Sequence, residues 1–279
     1  CIGVSNALQP IANTNVLRHA MEYAANCDLT LFLHAQDPWL GREGCAHEGA
    51  ISTRLGLSGI PEATETIAVA RDLLLIELTG VRAHFCRLST ARAVEMVHAA
   101  QKQGLTVTAD VSAHHLFLTE LDICHYNSQC HVYPPLRSEH DRDALRAGLV
   151  AGTINALCSD HQPHEADAKL NPFALSAAGI SALDTLLPLS LRLAETLSLE
   201  LLTALSYVTY QPAHILGIAA GRLAVGHAAD ICIFDPQCRW QLTEANWHSL
   251  GHNSPFLDWE FKGRVTYTLI NGRVVYTRY

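Results

Sequence analysis

Five polar clusters, each closing a short apolar run, carry the groups able to do chemistry in this sequence. They are Ser5-Asn6, His34-Ala35-Gln36-Asp37, Arg87-Leu88-Ser89-Thr90, His114-His115 and Ser159-Asp160-His161-Gln162-Pro163-His164. Neutral imidazoles and carboxylates are the ligands a zinc ion takes, and a carboxylate beside such an ion can carry a proton. A single histidine closing a strand is ordinarily a hydrogen-bonded structural group. Several in register point instead to a metallohydrolase scaffold. Cys124, His125, Cys130 and His131 form another grouping, but their spacing is wrong for structural zinc and they read as ordinary loop residues.

The elements that must position these clusters alternate in kind. Apolar runs at Leu29–His34, Ala83–Arg87, Thr106–Asp110 and Ile154–Asp160 read as strands. Amphipathic stretches at Ile60–Leu78, Thr90–Gln103 and Glu139–Ala151 read as helices, with Gly104 placed as a helix C-terminal glycine. Strand followed by helix, repeated, predicts parallel strands with crossover helices. In a parallel α/β barrel the working groups gather at the C-terminal ends of the strands, where all five clusters fall. From Gly221 the texture changes: Gly221–Asp235 and Arg264–Tyr276 read as β-structure, with a hairpin turn at Asn271-Gly272. The expected division is therefore a barrel portion over residues 1–220 and a β-rich appendage over 221–279.

Composition narrows the class. The 279 residues are 49% hydrophobic, enough for one large domain or one with a small appendage. A net charge of −8 and a pI near 6.0 argue against a nucleic-acid footprint, which needs a basic patch. No run approaches the roughly 18 apolar residues of a membrane span. The nine cysteines include no C-x-x-C pair, a pattern of reduced thiols in a cytoplasmic protein. The chain opens on Cys1 without a charged-then-apolar leader, so no secretory signal is visible and it reads as part of a longer protein.

At the strand-end clusters, and through Glu48-Gly49, Gly56-Leu57-Ser58-Gly59-Ile60-Pro61, Glu65, Arg71-Asp72 and Pro134-Pro135-Leu136-Arg137, the sequence resembles the dihydroorotases of the amidohydrolase superfamily. Gly221-Arg222-Leu223-Ala224-Val225-Gly226, Ala229-Asp230, Pro255-Phe256 and Lys262-Gly263-Arg264-Val265 continue the likeness in the family's order. The resemblance implies a (β/α)8 barrel with a flanking β-sandwich, this chain beginning near the end of barrel strand 4. It also implies a metal set: a His-x-His pair on strand 1, an acidic or carbamylated-lysine ligand on strand 4, a histidine on each of strands 5 and 6, and an aspartate on strand 8.

Carried over residue by residue, the resemblance keeps part of that set. His34 stands at the strand 5 ligand, Asp160 at the strand 8 aspartate that binds metal and takes a proton, and His164 at the substrate-holding histidine. Arg87 stands at the strand 6 ligand, within His84-Phe85-Cys86-Arg87-Leu88-Ser89-Thr90, and Asn6 stands where strand 4 supplies an acidic ligand. His84 is not expected to substitute, because residues three apart on a strand face opposite sides. Tyr133 replaces the asparagine before Pro-Pro-Leu-Arg that binds the pyrimidine ring, and Phe173-Ala174 replaces Phe-Gly in the substrate loop. Guanidinium has no lone pair for zinc. Arg87 therefore either turns inward to pair with Asp160 in the metal's place or turns outward to solvent or an interface.

Three functions follow from the resemblance. The first is a non-catalytic dihydroorotase-like chain, similar to those that assemble with the aspartate carbamoyltransferase catalytic chain, homodimeric within the complex and needing no cofactor. The second is a working zinc dihydroorotase interconverting N-carbamoyl-L-aspartate and dihydroorotate, with Asp160 moving the proton. The third is an amidohydrolase for another cyclic amide, for which the strand 6 change is as damaging.

Overall fold

A computed structural model describes residues 1–278 of the chain. The elements run β1 (Gly3–Ser5), α1 (Thr14–Asn26), β2 (Thr30–Leu33), β3 (Ala46–His47), α2 (Ala50–Leu55), β4 (Gly59–Ile60), α3 (Ala63–Thr79), β5 (Ala83–Phe85), α4 (Ala91–Lys102) and β6 (Val107–Ser112). They continue with α5 (Glu139–Val150), β7 (Ala156–Cys158), α6 (Leu183–Leu197), α7 (Leu201–Ser206), α8 (Tyr210–Leu216), β8 (Ile231–Gln241), β9 (Glu260–Ile270) and β10 (Arg273–Thr277). Five strands form one parallel sheet in the order β1-β2-β5-β6-β7, with β3 and β4 paired in an excursion between β2 and α3.

Parallel neighbours need a crossover, and α1, α3, α4 and α5 supply one between each successive pair of sheet strands. Local chemistry sets where these helices begin. The Asn13 side chain accepts from the N–H groups of Asn15 and Val16, at 3.0 and 3.2 Å, and so starts α1. Ser138 and Asp141 cap α5 reciprocally, the Ser138 hydroxyl accepting from Asp141 N–H at 3.2 Å and Asp141 accepting from Ser138 N–H at 3.2 Å. The helices bury Leu17, Met21, Val69, Ile76, Val94, Val97, Leu145 and Leu149 against Leu31, Leu33, Phe85, Ala109 and Val111 of the sheet. Side chains of about 2–3 kcal/mol each make this contact the main driving force for the layer.

The expected strands and helices are present, most with trimmed ends, while α3 runs on to Thr79 and β6 to Ser112, and Gly104 follows α4 at φ 89°. Two expectations change. The α3 helix is not amphipathic, because Ile67, Leu74 and Leu78 on its outer side are exposed. The first appendage strand starts at Ile231, since residues 221–230 adopt turns and irregular backbone. Asn271 and Gly272 do turn β9 into β10, at φ 49° and 77°, the left-handed pair a two-residue hairpin requires.

The antiparallel sheet β10-β9-β8 packs on α6. Gly263 at φ 86° permits this approach, for a Cβ there would stand 2.0 Å from Leu191 Cδ1. Phe256, Phe261, Leu242 and Trp247 join Ile123, Val132, Leu136, Phe173 and Ile180 in a second apolar cluster beneath the loops around the strand ends. Those loops are thus anchored from below.

Candidate functional site

The C-terminal ends of β2, β5, β6 and β7 lie side by side, as pairing of Leu33 with Phe85, Phe85 with Ala109 and Ser112 with Cys158 requires. A cavity of about 210 Å³ opens there, lined by Ser5, His34, Cys86, Arg87, Asp110, Cys158 and Asp160 among others. The guanidinium of Arg87 crosses it. Its Nη1 donates to Asp160 Oδ1 at 2.7 Å, with the two side chains 10% and 7% exposed. Gln162 Nε2 donates to the same oxygen at 3.0 Å. Of the two orientations open to Arg87, the inward one is adopted.

Backbone conformation makes that orientation reachable. Arg87 and Asp160 each lie two residues beyond a strand end, at φ 57° and 47°. Left-handed conformations cost a non-glycine residue roughly 1–2 kcal/mol, and the hydrogen bonds formed offset that cost. Arg87 N–H donates to Asp110 Oδ1 at 2.7 Å, and Asp160 N–H donates to Cys158 Sγ at 3.2 Å.

His84 also meets this network. Its Nε2 lies 2.9 Å from Asp110 Oδ2, so His84 and Arg87 are joined through one carboxylate. Arg87 makes its contact to Asp110 through the backbone and sends its side chain to Asp160, so His84 does not stand in the Arg87 position.

His34 is 5% exposed, with Nε2 3.2 Å from Gln36 Oε1 and Nδ1 without a protein partner. Burial, helped by the positive charge of Arg87, holds its imidazole down to about 4, so it is neutral near pH 7. Asn6 does not face the Arg87–Asp160 pair. Its side-chain amide is committed to the His34 backbone, donating to His34 O at 3.0 Å and accepting from His34 N–H at 2.9 Å. His164 is also turned to its own loop: Nε2 is 3.0 Å from Ala178 O, and its N–H donates to Asn253 Oδ1 at 2.7 Å.

Tyr133 stands edge-on to His34 with ring centroids 6.0 Å apart. The space between it, His34, Gln36, Glu65 and Arg137 is about 10 Å³, and burial pushes its phenol up to about 12. Phe173 packs its ring 4.9 Å from His131 and serves the loop core. Beneath, Glu65 accepts from Ser89 and Thr90, through both backbone and hydroxyl groups, and fixes the start of α4. Arg137 locks the same region through Ser89 Oγ at 3.2 Å and Ile60 O at 2.8 Å.

Comparison with known proteins fixes the family. A model described as "Amidohydrolase family" matches residues 2–275. The chain belongs to the amidohydrolase family. It is 48% identical to a dihydroorotase-like protein of Pseudomonas aeruginosa over 99% of this chain and 65% of that protein. A dihydroorotase-like protein of Pseudomonas putida is 47% identical over 98% of this chain and 64% of the relative, and a dihydroorotase of a Geobacter species 42% identical over 99% and 65%. The chain thus spans about 65% of the length of these relatives. L-hydantoinase from Arthrobacter aurescens superimposes with a TM-score of 0.84 at 26% identity, covering 97% of this chain and 62% of the enzyme. The same fold recurs in a D-hydantoinase from a Thermus species, TM-score 0.86 at 19% identity, over 99% of this chain and 63% of the enzyme.

The dinuclear metal position that the dihydroorotase resemblance implies does not fit these residues. Arg87 brings a permanent cation to the carboxylate that should face the metal, and offers no lone pair. Asp110, Cys86 and Cys158 are site residues that the strand-end reading of this amidohydrolase passed over. Asp110 was visible as the polar end of the Thr106–Asp110 run. The two cysteines carried no spacing signal.

Proposed function

We propose that this amidohydrolase chain belongs to a dihydroorotase-like protein of pyrimidine biosynthesis whose hydrolytic centre has become an ion pair. In this reading it is a non-catalytic structural subunit, dimeric, and bound to the catalytic chain of aspartate carbamoyltransferase. The observation that carries the loss of activity is the Arg87–Asp160 contact at 2.7 Å, which puts a guanidinium where a metal and its attacking water would stand. The narrow space at Tyr133, about 10 Å³ beside His34, Glu65 and Arg137, supports it, since a ring-sized ligand needs a pocket of roughly 300 Å³ or more.

A working zinc dihydroorotase is the second reading, favoured by one observation: buried His34 keeps Nδ1 without a protein partner. The deciding experiment follows conversion of dihydroorotate by the purified full-length protein with and without zinc, alongside metal analysis and co-purification with the transferase. The proposal expects no turnover and a stable complex. Turnover with a dinuclear complement, about two zinc ions per chain, would overturn it.

A further inference from the structure

One step back along β5 from the ion pair is a cluster whose chemistry the proposed structural role leaves unused. His84 is on β5 and Cys86 directly follows that strand, and Asp110 reaches them from the neighbouring strand β6. A ring nitrogen of His84, Cys86 Sγ and an Asp110 oxygen all lie within 4.8 Å of one another. We propose that His84, Cys86 and Asp110 form a mononuclear site for a soft divalent ion such as zinc or cadmium, separate from the dinuclear position lost to Arg87.

The donor set is one imidazole, one thiolate and one carboxylate, a mixture that suits zinc and its softer congeners. Second contacts are already arranged for it. His84 Nδ1 is 2.7 Å from Thr108 Oγ1, and a hydroxyl can accept as well as donate. An ion between His84 and Asp110 would replace the contact that Nε2 and Oδ2 now make at 2.9 Å, with Nδ1–H turned to Thr108, the arrangement usual for metal-binding histidines. Arg87 N–H holds Asp110 by Oδ1, leaving Oδ2 toward His84.

Charge points the same way. The cavity is lined by two carboxylates, Asp110 and Asp160, against the single guanidinium of Arg87, so one negative charge is uncompensated. A divalent ion that displaces the Cys86 thiol proton to solvent adds two charges and removes one, bringing the cluster to neutrality. The same cavity, about 210 Å³ and lined by Cys86 and Asp110, supplies a way in. A proton held between His84 and Asp110 would also balance the charge, and the experiment separates the two arrangements.

Cobalt(II) is the probe, because a thiolate ligand gives it a charge-transfer band. Exposed Cys1, Cys27 and Cys232 are first changed to serine so that surface thiols do not contribute. The site predicts one cobalt per chain with a thiolate band. The band is lost in Cys86→Ser, binding is at least tenfold weaker in Asp110→Asn, and both are unchanged in Cys130→Ser. A second measurement needs no site variant: cadmium should protect Cys86 from alkylation in the wild-type chain, read by mass spectrometry. Cobalt binding without a thiolate band, a band that survives Cys86→Ser, or equal alkylation with and without cadmium would each overturn the site. None of these readouts involves turnover, so they stand or fall separately from the non-catalytic reading.

Discussion

Arg87 and Asp160 occupy equivalent points on β5 and β7, each two residues past the strand end and each left-handed, and their side chains meet at 2.7 Å across β6. Two uncommon backbone conformations thus converge on one ion pair. Strain of this kind persists where surrounding contacts over-determine it, and the Asp110 and Cys158 contacts to the two N–H groups do so here.

Removing one partner from such a pair leaves a buried charge alone, which costs about 3–5 kcal/mol, whereas removing both can cost much less. Arg87→Met and Asp160→Asn should each destabilise strongly, and the double variant should be more stable than their sum predicts by roughly 2 kcal/mol. Urea denaturation of the four proteins measures this coupling. A coupling near zero would show that the contact contributes nothing to folding.

Acid should unfold this protein early. Burial, with further contributions from neighbouring charges, holds His34, His115 and His131 at about 4 and pushes His114 well below its ordinary value. Their ordinary value is near 6.5, so between about pH 6.5 and 4 the unfolded chain binds protons that the folded chain refuses. Stability is complete above that window and falls as pH drops through it, by on the order of 1.4 kcal/mol per pH unit for each group. His114 is the sharpest probe, since both ring nitrogens are buried without a protein partner. His114→Leu should stabilise by about 1 kcal/mol at pH 7 and by more at pH 5. Denaturation midpoints at the two pH values check it, and an equal effect at both would contradict it.

The scaffold was legible because its signal is repetitive. The runs ending at His34, Arg87 and Asp160 each combine apolar strand residues with a polar cap, and pairing in parallel brings such ends together whatever the side chains do. Spacing could not show how the polar groups at those ends would be bonded. Alternation set the His84 side chain apart from that of Arg87; His84 meets Asp110 through its ring, while Arg87 does so through its backbone N–H and sends its side chain to Asp160. Asn6 stands where an acidic ligand was expected, and its amide is spent on the His34 backbone, a hydrogen bond that no spacing rule reveals. His164 was read as substrate-holding, and its contacts to Ala178 O and, through its N–H, to Asn253 of the distant appendage side carry no spacing signal either.

Lys169 gives a test of the same sign at alkaline pH. Its ammonium is buried among carbonyls, donating to Ser128 O at 3.1 Å and His131 O at 3.2 Å, and burial lowers it to about 8. Above pH 8 the folded chain releases this proton while the unfolded chain keeps it until about 10.5. The unfolded state then binds more protons, so this group's contribution to stability rises with pH across that window. The stability difference between wild type and Lys169→Met should therefore shift in favour of wild type from pH 8 to 10. A difference independent of pH would mean that the lysine is not titrating in the folded loop.

Tyr133 is the remaining obstacle to a ligand once charge is set aside. Its ring stands 6.0 Å from that of His34 and leaves about 10 Å³ beside Glu65 and Arg137, too little for a ring-sized ligand. Arg137 lies there with its guanidinium buried and largely committed to Ser89, His47 and Ile60, so that wall will not yield readily. Shortening the tyrosine is then the direct way to make room. Tyr133→Ala should cost roughly 2 kcal/mol of stability, less than for a fully buried ring because Tyr133 is half-buried. The same variant should bind dihydroorotate detectably by ligand-observed NMR where the wild-type protein does not. Binding by the wild type at equal strength would show that Tyr133 moves aside freely and that the closed cleft is no barrier.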